Sequence, residues 1–534
     1  MAGKWTKVLA EWGAVLLGVA AVILIPLYHG LGCFYLANSD QDIDLTYMAL
    51  MLNGGHDLPF HPHTGFGFVI LLAPWLDAAR HLGLIAVSSV DPLIDSAVFD
   101  EAYTQIVAAG RALTIVFAVI ATLVFMAVAR LACNERRIAA LATLVFATSL
   151  GIGYQFTVLR TELLSMTALL GALGLLLATR RQGGWPAVFR LGAAGFLVMF
   201  AALVKVQAVV IAMMLPLVPF LFSPPAKVCP APSRRALAVC AVVAMAIGGV
   251  GLVRLAAAAA MGPSHGYQIA LAVLIVLAGL AYGRLRLGDA TWGVAGLMGL
   301  SAGIGLGATL VYVSDHWWTL YGITNFVEFR GSNRRSEMDG SGTGAGAMIA
   351  ALWHFGGDAL TDVLLRFRSG PRDYPLQITY LWAIGAGLWL VVRGDRLAGL
   401  RILAFVAAAL GLIMLFSLRD YTYYYQIYVE PLFILAAAMA TAAIAATSRH
   451  RHWVIVAAAL VTLYIGATTT RFRLLAPSTA QTRGPEHACC SRDFATLIGK
   501  HFEPECAKAT VACPLSWEAM RAMQDVYLGK IPRQ

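Results

Sequence analysis

The sequence predicts an all-α polytopic membrane protein of about thirteen transmembrane helices, with interfacial helices on its outer face and a small C-terminal tail. Three observations predict it. Hydrophobic residues make up 59% of the 534 positions and charged residues only 13%. Apolar runs recur that are long enough to cross about 30 Å of hydrocarbon, and every second loop between them is basic. Backbone N–H and C=O groups in lipid must pair within their own segment, so such runs are helices, and a β-barrel is excluded by their length and continuity. The formal charge of +10 belongs to this topology and not to a nucleic-acid partner, because the excess Lys and Arg sits in loops assigned to the cytoplasm.

The first span is read at 12–30, behind Lys4 and Lys7, which puts the N-terminus inside and makes the run an anchor and not a cleaved signal. Further spans are read at 111–130, 138–153, 163–179, 190–204, 206–222, 236–260, 268–283, 290–313, 376–392, 402–418, 428–447 and 453–469. The loops this places inside carry Arg130, Arg136 and Arg137; Arg180 and Arg181; Lys227, Arg234 and Arg235; Arg284 and Arg286; Arg393 and Arg396; and Arg449 and Arg451. Merging the two spans around Lys205 would put two consecutive basic loops on opposite sides, so they stay separate. The membrane domain is thus 1–470, with outer loops at 31–110 and 314–375 and an outer segment at 471–534. That segment holds Cys489, Cys490, Cys506 and Cys513, which suit two disulfides in an oxidising compartment, with free thiols the plain alternative.

The first outer loop is the most informative stretch. It opens on Asp40, Asp42 and Asp44 directly after an apolar run, and carboxylates beside a bilayer are costly unless they are used. A helix N-terminus favours one acid but gives no reason for three. Leu45, Met48, Ala49 and Leu52 follow at helical spacing, predicting a short amphipathic helix along the membrane surface. His56, His61 and His63 come next, then an apolar segment interrupted by Pro74 that reads as an interfacial or re-entrant helix. Imidazoles and carboxylates in one loop suit a divalent metal ion, and surface histidines are as readily only polar. The second outer loop carries Trp317, Trp318 and Tyr321 and then a Gly-rich polar insert, which fits either a cover for the site or a passive linker.

The order of these parts resembles the GT-C membrane glycosyltransferases related to the protein O-mannosyltransferases and the lipid A aminoarabinose transferase. The matching residues are Asp40-Gln41-Asp42, Tyr47, Asn53-Gly54-Gly55 and His63-Thr64-Gly65, where the family often has Asp-Glu and Asp-His-Pro. The likeness continues through Arg160 and Glu162 opening the fourth span, Lys205 between two apolar stretches, and Arg419, Tyr423, Tyr424 and Pro431 before a late span. It covers residues 10–450 and rests on order and sidedness more than on any one motif.

The resemblance implies a sugar donor carried on polyprenyl phosphate, because nucleotide sugars stay in the cytoplasm, and a glycan, lipid or protein acceptor in the cell envelope. It implies inversion by single displacement at the outer, periplasmic face of a bacterial inner membrane. Asp40 or Asp42 is then the general base, and Lys205, Arg419 and Arg160 hold the departing phosphate. Glu162, His63, Tyr423 and Tyr424 are the residues expected against the sugar or acceptor. Pairing with Arg160 would keep the base ionised, and a very tight pair would argue against it as a base. A transporter or flippase of a lipid-linked sugar is the alternative, although no repeated halves are visible.

Overall fold

The computed structural model describes residues 2–29, 31, 41–56, 65–94, 99–156, 158–179, 185–205, 208, 211, 218, 353–354, 356–361, 375–417 and 425–475. Among the described residues the regular structure is entirely helical. The first nine helices are α1 (Ala2–His29), α2 (Gln41–Asn53), α3 (Phe66–His81), α4 (Val90–Ile94), α5 (Phe99–Cys133), α6 (Arg136–Thr148), α7 (Leu150–Phe156), α8 (Thr161–Thr179) and α9 (Trp185–Val204). Four more follow, numbered α10 (Leu376–Val392), α11 (Arg396–Ser417), α12 (Gln426–Thr447) and α13 (Arg451–Leu475). Among the described residues five stretches are long and apolar enough to cross a membrane: Glu101–Cys133, Thr161–Ala178, Arg396–Met414, Gln426–Thr447 and Arg451–Arg471. Trp12–Tyr28, Val188–Ala202 and Leu376–Val392 are shorter apolar helices at positions where spans are predicted. The expected spans at 236–260, 268–283 and 290–313, nearly all of 206–222 and the four tail cysteines lie outside the described residues.

Two predicted spans differ in form from the helices observed. The span expected at 111–130 is a helix of 35 residues, about 52 Å long at 1.5 Å per residue, well beyond the hydrocarbon thickness. Its first turns carry Tyr103, Ile106 and Val107, all buried, and they pack against α2, α3 and α4 to form a helical cap on the bundle. Trp75 Nε1 of α3 donates to Ala109 O at 2.8 Å, and Asn53 Nδ2 of α2 donates to Ala73 O at 2.8 Å and Ser88 O at 3.0 Å. α2 is the helix expected, but its buried surface is wider than an amphipathic face. Leu45, Thr46, Tyr47, Met48, Ala49 and Leu50 are all buried, and six consecutive residues exceed one helical turn. It ends at the Gly54-Gly55 pair: Gly55, at φ 72°, lets His56 N–H reach Met51 O at 3.0 Å and its own N–H reach Leu52 O at 3.1 Å.

The span expected at 138–153 is broken into α6 and α7 at Ser149, whose backbone is extended. The second piece is tied to the bundle centre, because the N–H of Gly151 donates to Glu430 Oε2 of α12 at 2.7 Å. A carboxylate at a helix N-terminus satisfies an otherwise orphaned donor. The contact demands glycine, since a Cβ at Gly151 would lie 2.6 Å from Glu430 Oε2 and 2.7 Å from Ile427 N. α12 is buried over most of its length, with Ala436, Ala437, Ala438 and Ala440 admitting close neighbours, and it touches α5, α6, α7, α8, α10, α11 and α13.

The two ends of the bundle are chemically different. At one end Arg451, opening α13, is ion-paired with Glu135 before α6, so the basic α5–α6 and α12–α13 loops share a side, as the charge pattern predicts. At the other end lie α2, α3, α4 and the turn from α7 into α8. Gly151→Ala should lower the melting temperature of the detergent-purified protein, an overpacking cost of about 1–3 kcal/mol. Gly385→Ala, where nothing lies within 4 Å of the added carbon, should leave it unchanged or raised, as measured by thermal denaturation.

Candidate active site

The first turn of α2 turns Asp42 inward. Its carboxylate is fully buried, and Oδ2 accepts from Arg111 Nη2 at 2.8 Å and Nε at 3.1 Å. Oδ1 accepts from the backbone N–H of Leu159, so both oxygens are engaged. Arg111 is 2% exposed and also donates through Nη1 to Leu31 O at 3.2 Å. This pair therefore joins the chain after α1, the start of α2, the outer part of α5 and the turn before α8. Burial pushes the Asp42 carboxyl up, while the Arg111 guanidinium, the Leu159 N–H and the charge of Arg160 pull against that shift.

The Leu159 turn leads straight into the next charged groups. Arg160 is buried and lies within electrostatic reach of both Asp42 and Glu162. Glu162, in the first turn of α8, pairs through Oε1 with Lys205 Nζ at 3.1 Å, and both side chains are at most 5% exposed. Lys205 follows the last residue of α9, with its N–H on Ala201 O at 2.9 Å, which holds the ammonium stem against the bundle. α3 crowds the same place: a Cβ on Gly67 would lie 2.7 Å from Val204 Cγ2. Ser165, one turn further along α8, donates to Ala201 O at 3.1 Å, and the buried Tyr428 of α12 lies within electrostatic reach of Glu162. Five charged groups from five segments thus form one buried polar seam: Asp42, Arg111, Arg160, Glu162 and Lys205.

Of the residues expected at the site, the structure brings together Asp42, Arg160, Glu162 and Lys205. Asp40, His63, Arg419, Tyr423 and Tyr424 lie outside the described residues. Tyr425, next to them, stacks on Phe416 with ring centres 5.0 Å apart. Tyr47 is buried, and its phenol is pushed up by that burial and by Asp91. His56 pairs with Asp91 at 2.9 Å on the exposed side of α2. Among the described residues no group of three His, Cys, Asp or Glu side chains is placed to hold a metal ion.

Two further buried charges, Arg111 and Glu430, stand outside the motifs read from the sequence. Arg111 is the partner of Asp42 in the place expected for Arg160, and its signal was a lone arginine at the head of an apolar run. Glu430 carries the same kind of signal in the sequence, as the single carboxylate within a predicted span.

No family model matches this chain, and no curated protein does. Among solved structures it is similar to two of the oligosaccharyltransferase of Archaeoglobus fulgidus. One is tethered through a disulfide to an acceptor peptide containing the NVT sequon: identity is 14%, the TM-score 0.46, and the match covers 97% of this chain and 60% of that one. The other is the apo form, at 13% identity and a TM-score of 0.46, covering 95% of this chain and 60% of that one. The chain thus spans about 60% of the length of either structure. A likeness at this identity and TM-score assigns neither family nor function.

Removing one member of a buried pair strands the other charge, at a cost of about 3–5 kcal/mol. Arg111→Met should therefore destabilise the protein strongly, and Asp42→Asn together with Arg111→Met should recover part of that loss. A double-mutant cycle on thermal unfolding measures the coupling, and additive effects would show that the pair is not a unit.

Proposed function

We propose that this chain is an integral membrane glycosyltransferase of the GT-C type, moving a sugar from a polyprenyl-phosphate donor to a cell-envelope acceptor at the outer face of a bacterial inner membrane. The observation that carries the reading is the convergence of Asp42, Arg111, Arg160, Glu162 and Lys205 at the bundle end opposite the basic loops. The resemblance in motif order supports it, because these positions, Arg111 apart, are those where the family's charged residues would fall.

Sugar transfer from a lipid phosphate asks for a base near the acceptor and for cations at the leaving group. Among the described residues the seam sets three cations, Arg111, Arg160 and Lys205, against two carboxylates, a balance that suits an anionic phosphate. Lys205 and Arg160 serve the departing phosphate, joined by Arg419, while Glu162 orients the Lys205 ammonium and lies toward the sugar. His63, Tyr423 and Tyr424 complete the sugar and acceptor contacts.

Asp40 is assigned as the general base, and Asp42 as the residue that positions the loop. Three hydrogen bonds already fall on the Asp42 carboxylate, two on Oδ2 from Arg111 and one on Oδ1 from Leu159, and the tight buried ion pair lowers its readiness to take an acceptor proton. The donor carbon then inverts as the acceptor attacks and the polyprenyl phosphate departs. Substrate reaches the site from the lipid phase, so membrane lipids border it.

Purified protein incubated with labelled polyprenyl-phosphate sugars and a pool of envelope acceptors should transfer label. Asp40→Asn should lower turnover by about 100-fold or more with the melting temperature unchanged, the usual scale for loss of a general base. Asp42→Asn should lose activity and stability together. Full turnover by Asp40→Asn would remove it as the base, and no transfer by wild type across a broad pool would overturn the enzymatic reading. A parallel chelator arm decides the metal question.

A further inference from the structure

The end of the bundle opposite this site carries a second feature. α6, α10, α12 and α13 leave between them a cavity of about 350 Å³ whose walls include Ile138, Val145, Trp382, Ala438, Val454 and Ala458. The walls are apolar, and the indole N–H of Trp382 is already donated to Thr441 Oγ1 at 2.9 Å. Val461, another wall residue, is 42% exposed, so among the described residues the cleft opens sideways, toward the bilayer. Along α13 the lining runs from Val454 to Ile465, about 16 Å at 1.5 Å per residue. That is close to half the hydrocarbon thickness of about 30 Å, the depth of one leaflet.

Basic residues adjoin two walls of the cleft in sequence, at the start of α6 and of α13. Ile138 directly follows Arg137, and Val454 lies three residues after Arg451. Arg137, Arg449, His450, Arg451 and His452 are all exposed, and Trp453 beside them is 62% exposed. Arg451 spends part of its charge on Glu135, and Arg137 and Arg449 flank that pair in sequence. Topology alone accounts for arginines on this side, but it gives no reason for an acyl-length apolar cleft to open among them. A cleft of that depth with cations and an indole at its rim matches an anionic phospholipid in both charge and shape.

We infer that this cleft is a binding site for an anionic phospholipid of the inner leaflet, with one acyl chain between α6, α12 and α13 and the phosphate at the Arg137 and Arg449 rim. It is separate from the polar seam and takes a lipid that is not consumed. The full chain, purified in detergent and mixed with equal phosphatidylglycerol and phosphatidylcholine of matched chains, should retain the anionic lipid about 30-fold better by native mass spectrometry, the factor for two basic residues at about 1 kcal/mol each. Arg137→Gln and Arg449→Gln, both at exposed positions, should each reduce that preference about fivefold, the factor for about 1 kcal/mol per basic residue. Ala458→Phe, which fills the cleft, should lower retention of both lipids. Equal retention of the two lipids by wild type would overturn the headgroup assignment. Unchanged retention by Ala458→Phe would overturn the acyl site.

Discussion

A buried arginine–aspartate pair is the constraint on which the outer half of this molecule depends. Taking Asp42 and Arg111 out of water costs several kcal/mol per ion, and their mutual attraction offsets that only if the geometry is good and every remaining polar group is met. The fold meets them: both Asp42 oxygens and three guanidinium nitrogens have partners, drawn from four separate parts of the chain. Each of those parts is held to the others by the penalty of leaving a charge exposed to apolar surroundings. The pair therefore sets where α2 begins, how far α5 rises above the bilayer and where the chain turns toward α8.

The second requirement is a rigid frame behind that pair, and α12 supplies it. Its alanines let neighbouring backbones approach, so contacts are numerous without large side chains to reorder. Its one carboxylate, Glu430, closes the N-terminus of α7 through Gly151 and so breaks what the hydropathy pattern reads as one continuous span. The break matters because α7 delivers the turn that presents Leu159 and Arg160 to the site. Tyr428, two residues before Glu430, extends the same helix toward Glu162. Packing and polar chemistry are thus carried by adjacent residues of one helix.

The two ends of the bundle use charge in opposite ways. At the loop end the arginines are mostly exposed, keep their hydration and act on headgroups through a screened field. At the seam the cations are buried, with Arg111 paired to Asp42 and Lys205 to Glu162, in a low-dielectric setting where each charge acts more strongly on its neighbours.

By itself the sequence determined the all-helical membrane class of the described residues, the positions of the predicted spans that fall on them, the shared side of the basic α5–α6 and α12–α13 loops and the charged residues that open the first outer loop. Those features rest on local quantities, namely apolar run length and loop charge. It also marked Asp42, Arg160, Glu162 and Lys205 as candidates, since a charged residue at a membrane boundary is conspicuous wherever it occurs. Only the tertiary structure decided which of them pair. Arg111 partners Asp42 from 69 residues away, Glu162 takes Lys205, and Glu430 reaches Gly151 across 279 residues. Run length and charge are sums along the chain, but a pairing depends on which helices are neighbours, and that is settled by packing between segments distant in sequence.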